Sequence, residues 1–254
     1  MTHPLPIPPV ALPDMPDPRP RGPAVGLAFA IFLLSATLAG ICWLAAGPTL
    51  GLFLGPPALL CILIPQTVSV TDRAIHRWAI WLLATLGTAI IWYSALPDIV
   101  GTNARQVGLC VIVLSALILL LVAATDALLW SGIRPTAAAA WITVLCLIWL
   151  SWPIWLSGHL TGHLGETIAN RLVYAHPLFA INAALHFDLW DHYPFMYSTL
   201  SSLNQDVPYR IPPSIWPAVI VQGAPAAALL LIHPAFARQL AKRKLNRQGA
   251  KTPS

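Results

Sequence analysis

The chain has 254 residues, of which 57% are hydrophobic and only 9% charged, whereas a soluble globular domain carries about 25% charged residues. So few charges cannot cover a surface that faces water, and an ordinary soluble domain is therefore excluded. The formal net charge of +5 does not point to a nucleic-acid partner, because six basic residues crowd into positions 238–254, where they indicate a tail anchored at a membrane surface.

The chain opens with a proline-rich tail at residues 1–23. Nine prolines in this stretch remove amide donors and favour an extended polyproline conformation over a packed core. The apolar run that follows, residues 24–46, is longer than the roughly 7–15 residues of a signal-peptide core. We therefore predict a solvated tail followed by the first of several membrane spans.

Six apolar runs suit helices that cross the hydrocarbon core of a bilayer, which takes about 20 residues. They lie at residues 24–46, 49–65, 78–96, 107–125, 137–157 and 214–233. The second contains Gly55, Pro56 and Pro57, so we expect a kink or break in its middle. The predicted fold is an all-α polytopic helical bundle, with a membrane domain over residues 24–237 between the proline-rich tail and a basic tail at 238–254.

The distribution of Lys and Arg between the loops predicts the orientation, because cytoplasmic loops are enriched in both residues. With the N-terminus inside, only three of the fourteen fall in outer segments: Arg105, Arg171 and Arg210. An odd number of spans would place one charged end of the chain on the wrong side. The pattern therefore predicts a bacterial inner-membrane protein with both termini in the cytoplasm.

The segment between the fifth and sixth spans, residues 159–213, differs from the other loops. It holds five of the eight histidines and four of the nine acidic residues. Functional residues concentrate in loops that a rigid scaffold presents. This outer segment is therefore where we expect any chemistry.

The first cluster in this segment consists of His159, His163, Glu166 and Asn170 at helical spacing. On one helix these side chains form a narrow stripe, and two histidines with a carboxylate are a ligand set for a metal ion that keeps an open position. The pattern favours the alternative of an amphipathic helix on the membrane with its polar stripe in water, because the HExxH order is absent.

A second cluster follows at His186, Asp188, Asp191 and His192 and is denser in groups that ligate metals. The alternative interpretation is a hydrated turn before a Tyr-Pro pair, and the pattern again favours this alternative.

Between the two clusters, residues 172–185 are apolar apart from His176 and Asn182. About fourteen residues suit a re-entrant or interfacial helix better than a crossing. Pro177 is placed to be a first helical residue, where its missing amide costs nothing. We predict two short helices that dip toward the membrane from outside.

Polar groups inside the predicted spans are few. Asp126 and His233 lie at cytoplasmic span ends, where we expect their side chains to reach water, and Gln222 lies near the centre of the sixth span, where we expect an interhelical hydrogen bond. No span centre carries Asp, Glu, Lys or Arg, which argues against a proton- or ion-coupled transporter. The cysteines fall in separate apolar runs, so we expect neither disulfides nor a zinc site: Cys42, Cys61, Cys110 and Cys146.

Two segments connect this plan to a known family: QTVSVTDRAIHR between the second and third spans, and AHPLFAINAAL in the outer segment. With the six spans, they resemble the membrane subunit of ABC-2-type exporters. The resemblance implies a cytoplasmic helix between spans two and three that touches an ATPase, and re-entrant helices between spans five and six. It makes Thr71, as the cap of a short helix, a candidate partner contact together with Asp72, Arg73 and Arg77.

Three functions agree with these features. The first is a non-catalytic permease or accessory subunit of an export complex, a homodimer whose ATP-binding subunit is a separate protein, since the chain has no GxxxxGK[ST] phosphate loop. The second is a metal- or haem-binding subunit of a membrane redox complex that uses the outer histidines. The third is a structural assembly factor. In all three the lipid bilayer surrounds the chain, and only the second requires a cofactor.

Overall fold

The computed structural model describes residues 54–71, 74–156, 159–160, 162–186 and 209–249, with positions 74–76, 96–100, 163 and 233–249 described by their backbone alone. This part of the chain contains seven helices and no strand. They are α1 (Leu54–Ser69), α2 (Ala74–Val100), α3 (Ala104–Trp130), α4 (Pro135–Trp155), α5 (Gly162–Ala175), α6 (Pro177–Leu185) and α7 (Trp216–Gly249). The predicted all-helical class is therefore confirmed for these residues.

Three helices are long and apolar enough to cross a membrane. They cover Arg77–Ala95 in α2, Ala104–Trp130 in α3 and Pro135–Trp155 in α4, with 19, 27 and 21 residues. The third, fourth and fifth predicted spans are thus helices of spanning length. Helix α1 and the Trp216–Ile232 part of α7 are shorter apolar helices. The first predicted span, residues 24–46, lies outside the described residues.

Local sequence explains where several helices begin. The Asn103 side chain accepts a hydrogen bond from the amide of Gln106, and the Gln106 side chain accepts one from the amide of Asn103, each at 3.0 Å. This reciprocal capping box satisfies two amides at the start of α3. Proline occupies the start of α4 and of α6, so the prediction for Pro177 is confirmed.

Helix α3 lies at the centre of the described bundle and packs against α2, α4, α6 and α7. Its side chains Leu114, Ile118 and Leu121 are fully buried. A hydrogen bond of 3.2 Å from Trp81 Nε1 to the Ser115 carbonyl ties α2 to its middle. Of the three helices of spanning length, the one with the highest hydropathy is therefore the centre of the described bundle.

The outward faces of α2 and α4 are apolar as well. Leu83 and Ile90 of α2 and Trp141 of α4 each expose more than half of their surface. Large exposed apolar patches mark protein or membrane contact surfaces. These faces suit contact with lipid, which agrees with the length of the helices.

Two predictions about the second and sixth spans differ from the structure. Pro56 and Pro57 lie in the first described turn of α1, and the helix continues uninterrupted to Ser69. The break expected in the middle of the second span is therefore not found in the described residues. At the other end of the chain, α7 continues beyond the predicted span end at residue 233 into the basic segment.

The connection between α1 and α2 also differs from the prediction. Arg77 lies in the first turn of the long α2 and not on a separate short helix. Thr71 follows the end of α1, where its hydroxyl donates to the Thr67 carbonyl at 2.7 Å. Asp72 and Arg73 lie outside the described residues.

The segment between α4 and α7 contains two short helices, α5 and α6, as the sequence predicts; that they dip toward the membrane from outside stays a prediction. The apolar run 172–185 is divided between them at His176. Gly165 allows α5 to lie against the chain that precedes it, because a Cβ at this position would overlap the carbonyl group of Leu160. Buried side chains of α4, α5, α6 and the chain before α5 then form one apolar cluster: Trp152, Leu160, Ala169, Val173 and Phe179. The pair is thus packed into the bundle.

Candidate functional site

His176 joins α5 to α6 and is enclosed by aromatic rings. The residue is fully buried. The ring centroids of Trp149, Trp152 and Phe179 lie 5.4, 6.0 and 5.4 Å from that of its imidazole. The Tyr209 ring extends the group at 5.3 Å from Phe179. Offset and edge-on arrangements at these distances are favourable for aromatic pairs. We call these five residues the His176 cluster.

Burial keeps the His176 imidazole neutral. Loss of hydration lowers the pKa of His176 to about 3, although hydrogen bonds to the backbone of Trp149 and Leu150 oppose this shift. Nε2 lies 3.1 Å from the Trp149 carbonyl oxygen, which can only accept, so Nε2 carries the proton. Nδ1 is buried and has no partner among the described residues. The imidazole therefore fastens the α5–α6 junction to α4 and does not exchange protons near neutral pH.

A cavity of about 390 Å³ lies where α3 and α7 begin and α6 ends, and we call it the Arg105 cavity. Arg105 and His186 lie on its rim, and both are exposed. Asn103 and Gln106 also line it, but the capping box engages both side chains, and Gln106 Nε2 donates to the Leu185 carbonyl at 3.3 Å. Its apolar lining includes Leu109, Ile215 and Trp216.

The Arg105 cavity thus combines a cationic rim with an apolar wall. The guanidinium of Arg105 carries a positive charge. A few polar groups over an apolar lining are typical of sites for small molecules. The arrangement suits a ligand that carries an anionic or hydrogen-bonding group on an apolar body.

The backbone of His186 is strained. It closes α6 in the left-handed conformation, with φ 53° and ψ 35°, where glycine is the usual residue. A non-glycine residue in this conformation costs of the order of 1 kcal/mol, and such strain clusters at functional sites. Of the second predicted cluster, His186 is the residue that the structure describes, and it lies at the Arg105 cavity. Asp188, Asp191 and His192 lie outside the described residues.

The first predicted cluster is not one helical stripe. His159 lies in a short turn before α5 and is exposed, so the prediction that it shares a helix with Glu166 is wrong. His163 is on α5, where the structure describes its backbone alone. Asn170 has a structural contact, since its Oδ1 accepts from the amide of Arg210 at 2.9 Å. The described residues contain no group of three or more His, Cys, Asp or Glu that could hold a metal ion, and the metal site stays a prediction.

Arg77, a predicted partner contact, forms an ion pair with Asp126 near the end of α3. The two side chains expose 16% and 9% of their surface. Asp126 therefore does not reach out to water as predicted but pairs inside the bundle. This contact fixes the start of α2 against the end of α3.

Sequence reasoning missed the role of His176 and assigned none to Arg105. The signal for His176 was a single histidine directly before a proline, inside an apolar run. Here the residue occupies the N-cap position of α6, and its ring bonds to the Trp149 carbonyl instead of capping the helix. Arg105 carried no signal beyond its place in a short loop.

Comparison of the chain with protein-family models, with curated proteins and with solved structures finds no match.

Proposed function

We propose that this protein is a six-span membrane protein that serves as a non-catalytic permease or accessory subunit of an export complex, driven by a separate ATPase. The observation that supports it best is the placement of α5 and α6. They lie in the chain between the spanning helix α4 and the apolar helix α7, and both contact α7. A short helical pair packed into one end of a bundle suits a lid over a path through the membrane.

The six-span count rests on the three helices of spanning length together with three shorter or undescribed apolar segments. These segments are residues 24–46, helix α1 and the first part of α7. Six crossings put the ion pair of Arg77 and Asp126 on the cytoplasmic side and the Arg105 cavity on the outer side. The bias of Lys and Arg toward the cytoplasm favours this arrangement.

The cytoplasmic connection between α1 and α2 is the proposed contact for the ATPase. Because Arg77 is paired with Asp126, its role in this surface is to hold α2 in place. Thr71, Asp72 and Arg73 are then the residues that would meet the partner directly. The exposed apolar faces of α2 and α4 are available for lipid or for a second copy of the chain.

Co-purification tests the proposed partnership. A tagged full-length chain, solubilised from its native membrane in mild detergent, is expected to bring down a protein with a phosphate-loop sequence and with ATPase activity. The charge reversal R73E should reduce the recovered ATPase several-fold, whereas the matched reversal R105E, at the opposite end of the bundle, should not. A preparation that contains no ATP-binding protein would contradict the export role.

Cysteine labelling tests the topology on its own. Ser131 and Ile211 are both exposed and lie at opposite ends of the bundle. In a chain whose four native cysteines are replaced by alanine, a reagent that cannot cross the membrane should label I211C in intact cells and leave S131C and S254C unlabelled until the cells are opened. Labelling of S254C in intact cells would show that the six-span arrangement is wrong, whatever the partner.

A further inference from the structure

A second cavity, of about 350 Å³, lies between the middle parts of α3 and α4 and the first turns of α7. Its walls include Leu117 and Leu121 of α3, Leu145 and Trp149 of α4 and Gln222 of α7. Apart from Gln222 and Cys146, the side chains that line it are hydrophobic. We call it the Gln222 cavity.

Gln222 is 2% exposed, and both atoms of its side-chain amide, Oε1 and Nε2, lack a hydrogen-bond partner among the described residues. The interhelical bond that the sequence predicts for Gln222 is therefore not formed there. Nearly all buried side-chain polar atoms in proteins have a partner. An unpaired donor and acceptor on one cavity wall indicate that a bound group supplies both bonds.

Water is a poor candidate for that group. A buried water needs two to four polar partners, on the order of three, and cavities lined by apolar side chains stay dry. In the described lining only Gln222 offers an amide. The volume also fits something larger, because small-molecule sites measure roughly 300–1,000 Å³.

We propose that the Gln222 cavity binds an uncharged single-chain amphiphile whose polar group both donates and accepts a hydrogen bond, as the hydroxyl of a long-chain alcohol does. The hydroxyl donates to Oε1 and accepts from Nε2, and the alkyl chain lies against the leucines and Trp149. An ester, ether or ketone can only accept and leaves Oε1 unpaired. A charged head group is excluded because no opposite charge lines the described wall. The inference does not depend on the export role.

Quenching of tryptophan fluorescence by bromine measures this binding, since Trp149 forms part of the wall. The full-length protein in lipid nanodiscs is titrated with 12-bromododecan-1-ol, with its methyl ether and with 1-bromododecane. We expect saturable quenching by the alcohol, at least tenfold weaker binding of the ether, and loss of the saturable part in W149F. Equal and non-saturable quenching by all three probes would mean partition into the bilayer and would overturn the proposal.

Q222M supplies the decisive comparison, because methionine keeps the length of the side chain and removes the amide. The variant should bind the alcohol at least tenfold more weakly than the wild type, with no change for 1-bromododecane. Q66M, the same substitution on α1 and outside the cavity, should bind like the wild type. Without ligand, Q222M should melt at the wild-type temperature or higher, because an unpaired amide has been removed. Unchanged alcohol binding by Q222M would overturn the proposal. A melting temperature of Q222M several degrees below that of the wild type, or failure of Q222M to fold, would also overturn it, because each would mean that the amide already has a partner in the protein.

Discussion

Replacing Arg77 by glutamine is expected to lower the stability of the protein by about 3 kcal/mol, because it leaves the carboxylate of Asp126 unpaired in a largely buried position. For a chain of this size that loss corresponds to a fall in melting temperature of roughly 6–12 °C. Melting followed by tryptophan fluorescence in one detergent and at one scan rate measures it. The scan rate matters because membrane proteins often unfold irreversibly.

R134Q is the matched control for R77Q. Arg134 lies just before α4, at the same end of the bundle as Arg77, and is exposed without a side-chain capping bond. Its loss should change stability by no more than about 0.5 kcal/mol. The double variant R77Q/D126N should recover much of the loss, because no charge is then left unpaired. If R77Q melts like R134Q, or if the two single losses simply add, the ion pair does not stabilise the fold.

Replacing His176 by alanine is expected to cost about 3 kcal/mol, because it opens a void between Trp149, Trp152 and Phe179 and removes the bond to the Trp149 carbonyl. His176→Phe keeps a ring in the cluster and should cost less. His159→Ala is the control, since His159 is exposed and should be neutral within about 0.5 kcal/mol. Melting temperature measures all three, and equal effects of the two alanine variants would contradict the role of the cluster.

The same histidine predicts a pH dependence. The pKa of His176 is about 3 in the folded protein, against about 6.5 in an unfolded chain. As the pH falls from about 6.5 toward 3, the unfolded chain takes up a proton that the folded protein excludes, so the stability present above pH 6.5 is progressively lost. The wild type should therefore lose melting temperature faster than His176→Phe between pH 7.5 and pH 5. Parallel profiles would show that His176 does not take part in acid denaturation.

The two largest expected effects arise at opposite ends of one scaffold. At one end the ion pair of Arg77 and Asp126 fixes α2 to α3, and at the other the His176 cluster fixes the α5–α6 pair to α4. Under the proposed function, the first end would meet the ATPase and the second would close the outer side. A variant at either end should therefore be judged for folding before any loss of transport is assigned to the chemistry of the residue.

Membrane character, helical class and several helix starts follow from the sequence alone. Composition excludes a water-facing fold, and the starts of α3 and α6 depend on residues within one turn, namely the capping box of Asn103 and Gln106 and the proline Pro177. Such features are local, so no knowledge of distant contacts is needed to predict them. The presence of two short helices after α4 was predictable for the same reason, but their bounds were not, since the apolar run 172–185 is divided between them at His176.

Only the tertiary structure decides which polar groups are paired. Asp126 meets Arg77 from another helix, His176 is enclosed by rings of three other segments, and Gln222 has a cavity where the sequence suggests a partner. In a soluble protein, apolar periodicity would show which face of each helix is buried. In helices apolar enough to cross a membrane, the exposed and the buried sides are both apolar, as Ile90 and Leu114 illustrate, so the pattern does not tell the faces apart and leaves every contact between distant residues open.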